Sequence, residues 1–289
     1  MDARREQLQR GTRDFPFSCY RFHHTVPRQV ITNTHWHPEQ EILCVKKGAI
    51  EVLVGKNTYI VREDEICFVS PNALHSVIIS EADTEYYALV FSYDILSLPD
   101  SHFFQIGVTE PMREGRLVFP TVLDRNVPCF PVAMELLDRM CTCDQTTPNY
   151  KLTVFQALVC LYVTLEHTLV SISNVGNITD NKAVKSCLDY MQAHYREKIT
   201  LEQLGQLVHL HPNYLCKLFK VYTGQSAFQQ LIRIRLEKAA QLLEKNACPV
   251  SQVAELCGFE SVSFFSRKFK QIIGCAPKDY HNHDVKKVY

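Results

Sequence analysis

The last third of the chain contains one segment twice, and this duplication limits the possible fold more than any other feature. Leu204-Gly-Gln-Leu-Val-His-Leu210 parallels Val253-Ala-Glu-Leu-Cys-Gly-Phe259, and Tyr214-Leu-Cys-Lys-Leu-Phe-Lys-Val-Tyr-Thr-Gly224 parallels Phe264-Phe-Ser-Arg-Lys-Phe-Lys-Gln-Ile-Ile-Gly274. Each copy predicts a short helix with a small residue, Gly205 or Ala254, where a second helix crosses closely. A turn at His209 or Gly258 follows, then a second helix anchored by Phe219 or Phe269. That is the layout of a helix-turn-helix, in which the first helix braces and the second enters a major groove. The two units are expected at about 200–222 and 250–273, with Pro212 and Ser261 suited to the starts of the second helices.

Between the copies, Ser226 to Lys245 contains neither Gly nor Pro, which predicts one unbroken helix of about 30 Å. Successive major-groove faces of a duplex lie about 34 Å apart, so one polypeptide could read two adjacent grooves. A plain helical bundle explains the apolar faces of the repeat. It does not explain the matched cations Lys217/Arg267 and Lys220/Lys270. Charge points the same way. The whole chain has a formal net charge of zero, but residues 182–289 hold 16 Lys and Arg against 9 Asp and Glu, and residues 1–181 hold 15 against 22. An acidic part joined to a basic part implies that only the second meets a polyanion.

The stretch Arg235–Leu236, Ala239, Leu243, Val250, Val253–Ala254, Gly258–Phe259, Phe265, Phe269 and Ala276–Pro277 resembles the signature of the AraC/XylS transcription regulators. The likeness covers 182–282. It implies a sequence-specific regulator with an N-terminal sensing barrel, a homodimer, and contact with RNA polymerase. On the outer faces of the second helices, Asn213, Cys216 and Lys217 in the first unit and Ser263, Ser266 and Arg267 in the second are expected to reach base edges. Lys217 and Arg267 suit guanine and Asn213 adenine, whereas the Cys216 thiol is a poor base reader. Lys220, Lys268 and Lys270 are expected on phosphates, where they set register.

Upstream the period changes. Between 15 and 120, short β-branched and aromatic segments recur about every ten residues, including 41–45, 49–54, 58–61, 65–69, 76–79 and 86–91, with turns at Gly48, Gly55 and Pro71–Asn72. This spacing predicts an antiparallel sandwich or barrel. From Phe130 the pattern is helical, with Val132, Leu136, Leu137 and Met140 assigned to one face, and helices at about 131–172 are expected to form a dimer contact. The fold class is therefore α+β in two domains: a cupin or jelly-roll barrel with dimerisation helices at 15–172, a linker at 173–181, and an all-α double helix-turn-helix at 182–289.

His35-Trp-His37-Pro-Glu-Gln-Glu41 resembles the first motif of cupin barrels, and Ser70-Pro-Asn-Ala-Leu-His75 a shortened second motif, with Ala73 where a glycine is usual. His35 and His37, being i and i+2, would face the same way on a strand. His35, His37, Glu41 and His75 form the expected effector pocket, for a small polar molecule such as a sugar, with no cofactor required. The same four residues also suit a divalent metal. A rival reading is a metal-dependent cupin dioxygenase or isomerase fused to a helical DNA-binding domain. No nucleophile or paired acid and base favours an enzyme.

The twelve cysteines are scattered through apolar runs, and Cys141-x-Cys143 has no second pair at zinc spacing, so all are expected as structural thiols. No secretory leader is visible, and Leu152–Leu165 is shorter than the ~20 residues of a membrane span. The expected setting is the bacterial cytoplasm, with double-stranded DNA and a small molecule as partners and no membrane.

Overall fold

The computed structural model describes residues 11–12, 14–25, 30–96, 105–171, 178–244 and 248–282. The chain forms two compact units that divide at 176/177. Residues 173–177 of the expected linker lie outside the described residues. Its last four, 178–181, belong instead to a helix, α3 (Ile178–Ala193), where Asp180 accepts a hydrogen bond from the Tyr214 hydroxyl at 3.1 Å. No helix among the described residues is long and apolar enough to cross a membrane.

The first unit is built from β1 (Phe17–His24), β2 (Val30–His35), β3 (Gln40–Lys47), β4 (Ala49–Val54), β5 (Asn57–Arg62), β6 (Ile66–Val69), β7 (His75–Ile79), β8 (Thr84–Phe91) and β9 (Val122–Leu123). All pair antiparallel, in one sheet of order β1-β8-β3-β6-β9 and a second of order β2-β7-β4-β5. The expected barrel is thus present as two sheets whose edges do not pair among the described residues. Gly48 makes the β3–β4 turn at φ 75°. A Cβ there would meet Thr84 Oγ1 at 2.5 Å, so glycine is required on two counts.

β3 is the shared wall of two cores, because successive side chains on a strand face opposite ways. Leu43 and Val45 join Ile50, Val52, Val77 and Ile79 between the sheets. Ile42 and Cys44 face a second layer, where α1 (Phe130–Thr142) and α2 (Tyr150–Leu165) cover the five-stranded sheet. In α1 the buried stripe is Phe130, Ala133, Leu137 and Met140. Val132, assigned to that face from the sequence, is 49% exposed: at 3.6 residues per turn it points about 120° away from the centre of the buried stripe.

The second unit consists of α3, α4 (Leu201–Leu207), α5 (Pro212–Thr223), α6 (Ala227–Glu244), α7 (Val250–Leu256) and α8 (Val262–Ile273). The duplication is real in three dimensions. α4 and α7 end in the same double hydrogen bond, from Leu210 N to Gly205 O (2.9 Å) and His209 N to Gln206 O (3.3 Å) in one copy, and from Phe259 N to Ala254 O (3.0 Å) and Gly258 N to Glu255 O (2.9 Å) in the other. This is a Schellman cap, which needs left-handed backbone at its turn residue. Gly205 is small for this turn as well as for helix packing, since a Cβ would sit 2.6 Å from Leu210 O. Pro212 takes the first turn of α5, and Ser261 caps α8 by accepting from Phe264 N. The 18 residues of α6 give a rod of about 27 Å. Arg235 ties it to the end of α3, donating to Tyr195 O at 2.7 Å and Glu197 O at 2.8 Å.

Candidate nucleic-acid face and inter-sheet histidine site

On α5 the buried stripe Leu215, Leu218, Phe219 and Tyr222 fixes which face looks outward. Asn213, Lys217 and Lys220 share the opposite face at i, i+4 and i+7, and all three are exposed. On α8, Phe265 and Phe269 are buried, and Ser263, Arg267 and Lys270 hold the matching exposed positions. The Arg267 guanidinium lies 5.6 Å from the centre of the Phe264 ring, which steadies it without using its donors. Ser266 and Lys268 are half-buried, and Lys268 Nζ donates to Gln271 Oε1 at 3.0 Å. Cys216 is also half-buried. It lines an apolar cavity of about 220 Å³ with Met191, Leu204, Phe228 and Leu231, on the inner side of α5.

In the other unit, His35 and His75 are direct partners across β2 and β7, with ring centres 4.1 Å apart. Glu41 projects from β3 of the opposite sheet. The sequence reading placed His35 and His37 on one strand; β2 ends at His35, and His37 lies beyond it. Pro38 follows and disfavours continuation of the pairing, and the His37 carbonyl accepts from Asn72 N at 2.7 Å. The imidazoles still converge: donor atoms of His35, His37, Glu41 and His75 all lie within 4.8 Å of one another. The strand β2 itself was missed in the sequence, because Thr32-Asn-Thr34 carries no apolar alternation.

Two histidines are anchored alike. His37 Nδ1 lies 3.2 Å from Glu39 O, and His75 Nδ1 lies 2.9 Å from Ala73 O. A carbonyl only accepts, so each Nδ1 carries the proton. Both Nε2 atoms then point at the same carboxylate oxygen, Glu41 Oε2, at 3.1 and 2.9 Å. Neutral imidazoles would present bare lone pairs to an acceptor. The cluster therefore calls for added protons or a cation among its donors. Burial pushes the Glu41 carboxyl up, but the hydrogen bonding and charge of His37 and His75 outweigh it and hold the group well below the usual carboxylate range. Three imidazoles and a carboxylate, with backbone carbonyls orienting two of the rings, fit a borderline divalent metal.

Comparison with known proteins follows this division. A helix-turn-helix domain model matches residues 204–283, and a cupin domain model matches residues 22–91. The chain is 22% identical to the HTH-type transcriptional regulator YdiP of Escherichia coli, over 84% of this chain and 78% of that one. It is 24% identical to the HTH-type transcriptional regulator YdeC of Bacillus subtilis, over 96% and 95%. Among solved structures, ToxT from Vibrio cholerae aligns over 92% of this chain and 98% of its own at 14% identity, with a TM-score of 0.48.

Proposed function

The chain belongs to the AraC/XylS family of transcription regulators, and we propose that α5 and α8 read two successive major-groove segments while the inter-sheet site binds a small polar effector that sets their activity. The observation that carries the reading is the repeated outer face, Asn213–Lys217–Lys220 on one helix and Ser263–Arg267–Lys270 on its copy, each backed by a buried aromatic stripe. Arg267 and Lys217 suit guanine edges, and Lys220 and Lys270 suit phosphates. Cys216, turned towards the apolar cavity, is left with a packing role within the helical unit. The reading includes a homodimer formed through α2, whose Leu152 and Val163 are 66% and 63% exposed. Contact with RNA polymerase is the expected output.

The experiment is selection of bound sequences from random duplexes with the full chain. Recovery of two short motifs about one helical turn apart supports the proposal. Binding that is indifferent to sequence and salt would overturn it.

His35, His37, Glu41 and His75 are the proposed effector-binding residues, and a sugar offers hydroxyls that both donate and accept there. The paired Nε2 approach to Glu41 favours a second reading of the same site, in which these four residues hold a divalent cation. The cation would supply a Lewis-acidic point for an oxygen of the effector. His75 and His37 would present Nε2, with their tautomers fixed by Ala73 and Glu39. Calorimetric titration with zinc and with manganese separates the readings: stoichiometric binding lost in His75→Ala supports the cation, and its absence with retained sugar-dependent stabilisation supports the bare pocket. The relatives' standing as regulators favours sensing over turnover at this site.

A further inference from the structure

Cys129 and His167 meet where α1 begins and α2 ends. Cys129 is the N-cap of α1; its carbonyl accepts from Ala133 N at 3.0 Å, while its side chain caps nothing. His167 lies 38 positions later, in a single 3-10 turn, Glu166–Thr168, that follows α2. That turn is held in place. Thr168 Oγ1 donates to Leu165 O at 2.7 Å, Leu169 N donates to Glu166 O at 3.1 Å, and Val170–Ser171 pairs with Leu117–Val118. Cys129 Sγ and His167 Nε2 are 3.7 Å apart, within hydrogen-bond reach for sulfur. The thiol is half-buried and the imidazole exposed, so the pair is open to a small molecule from solvent. Other thiols are placed differently. Burial pushes Cys44 and Cys187 up to about 12 and Cys257 up to about 11, which keeps them protonated and unreactive. Cys160 on α2 is exposed, but among the described residues no imidazole lies within hydrogen-bond reach of it.

We propose that Cys129 is a reversible modification site for low-molecular-weight disulfides, with His167 as its base. A thiol is a poor nucleophile until it loses its proton, and a base within reach supplies that step. In the tautomer with its proton on Nδ1, His167 presents a bare Nε2 to the thiol. The Cys129 proton passes to that nitrogen, and the thiolate attacks one sulfur of the small disulfide. The disulfide's S–S bond breaks, a new bond joins Cys129 Sγ to the attacked sulfur, and the departing thiolate takes the proton back from the imidazolium. One protein thiol and one small disulfide thus become one mixed disulfide and one small thiol, with no other oxidant needed. A second small thiol reverses the exchange. Cys129 then departs from the structural role expected of all twelve cysteines.

The test exposes the full chain to oxidised glutathione, samples it over time, alkylates the remaining thiols and maps the peptides. Exposure alone would make Cys160 the faster site. The imidazole contact makes it Cys129, with an adduct that dithiothreitol removes. In His167→Gln, which keeps a polar partner for the thiol but cannot take its proton, modification of Cys129 should slow about tenfold while Cys160 keeps its rate. Cys44 should stay unmodified in both chains, which reports that the layer beneath α1 is intact. Faster modification of any other cysteine than of Cys129 in the unsubstituted chain overturns the proposal, and that comparison needs no variant. So does an unchanged Cys129 rate in His167→Gln with Cys44 still protected.

Discussion

His209 and Gly258 occupy the same turn of the two repeats, both in left-handed backbone, at φ 55° and 79°. Their surroundings differ. His209 is exposed, whereas a Cβ on Gly258 would lie 2.8 Å from Arg196 O and 2.9 Å from Tyr195 O. The second copy packs its turn against the end of α3, beside the carbonyls that Arg235 holds, and only glycine fits there.

The two turns should therefore respond oppositely to substitution. His209→Gly removes a backbone penalty that glycine does not pay, and should stabilise the unit by up to about 1 kcal/mol. Gly258→Ala adds both strain and a clash, and should cost about 2–4 kcal/mol. Urea unfolding of the two variants checks this; similar effects of the same sign would show that the turns are not distinguished by their packing.

Arg267→Ala and Lys220→Ala should also separate. Loss of a guanidinium that pairs with a base edge costs about 1–3 kcal/mol on the preferred site and relaxes choice at one position. Loss of a phosphate-binding lysine weakens every duplex alike and reduces the salt slope by about one unit. Binding measured on one selected site and its single-base variants, at several salt concentrations, reads both effects. An equal loss on all variants for Arg267→Ala would remove it from base reading.

The repeat was legible because both copies carry their instructions locally: a cap, a left-handed turn and an aromatic anchor at fixed offsets. The first unit was legible by strand period, except at β2, whose polar Thr32-Asn-Thr34 gives no alternation although it delivers His35. His37 was correctly grouped with His35 and Glu41, but for a different geometric reason, since it sits after the strand and not on it. Contacts between distant segments, such as Tyr214 with Asp180 or Lys46 with Asp138, leave no mark in a local pattern. They depend on how whole layers stack.

Asp83 gives a pH prediction. It pairs with Lys47 and with His23, whose Nε2 lies 2.6 Å from Asp83 Oδ1, and these partners lower its carboxyl to about 2, the Lys47 hydrogen bond being the larger cause. A depressed carboxylate stabilises the fold above its unfolded value of 3.8, and the contribution is lost as pH falls from there to about 2. The pair is exposed, so the effect on stability is small. By NMR titration the carboxyl should appear near 2 and should move towards 3.8 in Lys47→Ala. An unchanged value in that variant would assign the shift to another cause.

Gln40 precedes Glu41 on β3, so the residue next to the histidine site faces the helical layer. There its amide donates to Glu41 O at 3.0 Å and Val69 O at 2.9 Å, and its oxygen accepts from the Tyr93 hydroxyl at 2.8 Å. The Tyr93 ring meets the Tyr162 ring of α2 edge-on, with centres 6.1 Å apart, and all three side chains are buried. Removing one member leaves buried polar atoms without partners, which costs more than the bond itself contributes. Tyr93→Phe should destabilise the first unit by about 1–3 kcal/mol, because Gln40 Oε1 loses its donor in a buried site. Tyr162→Phe should cost little or stabilise, because the hydroxyl it removes is buried without a hydrogen-bond partner among the described residues. Urea denaturation of the two variants checks this, and a loss for Tyr162→Phe as large as that for Tyr93→Phe would overturn the assignment.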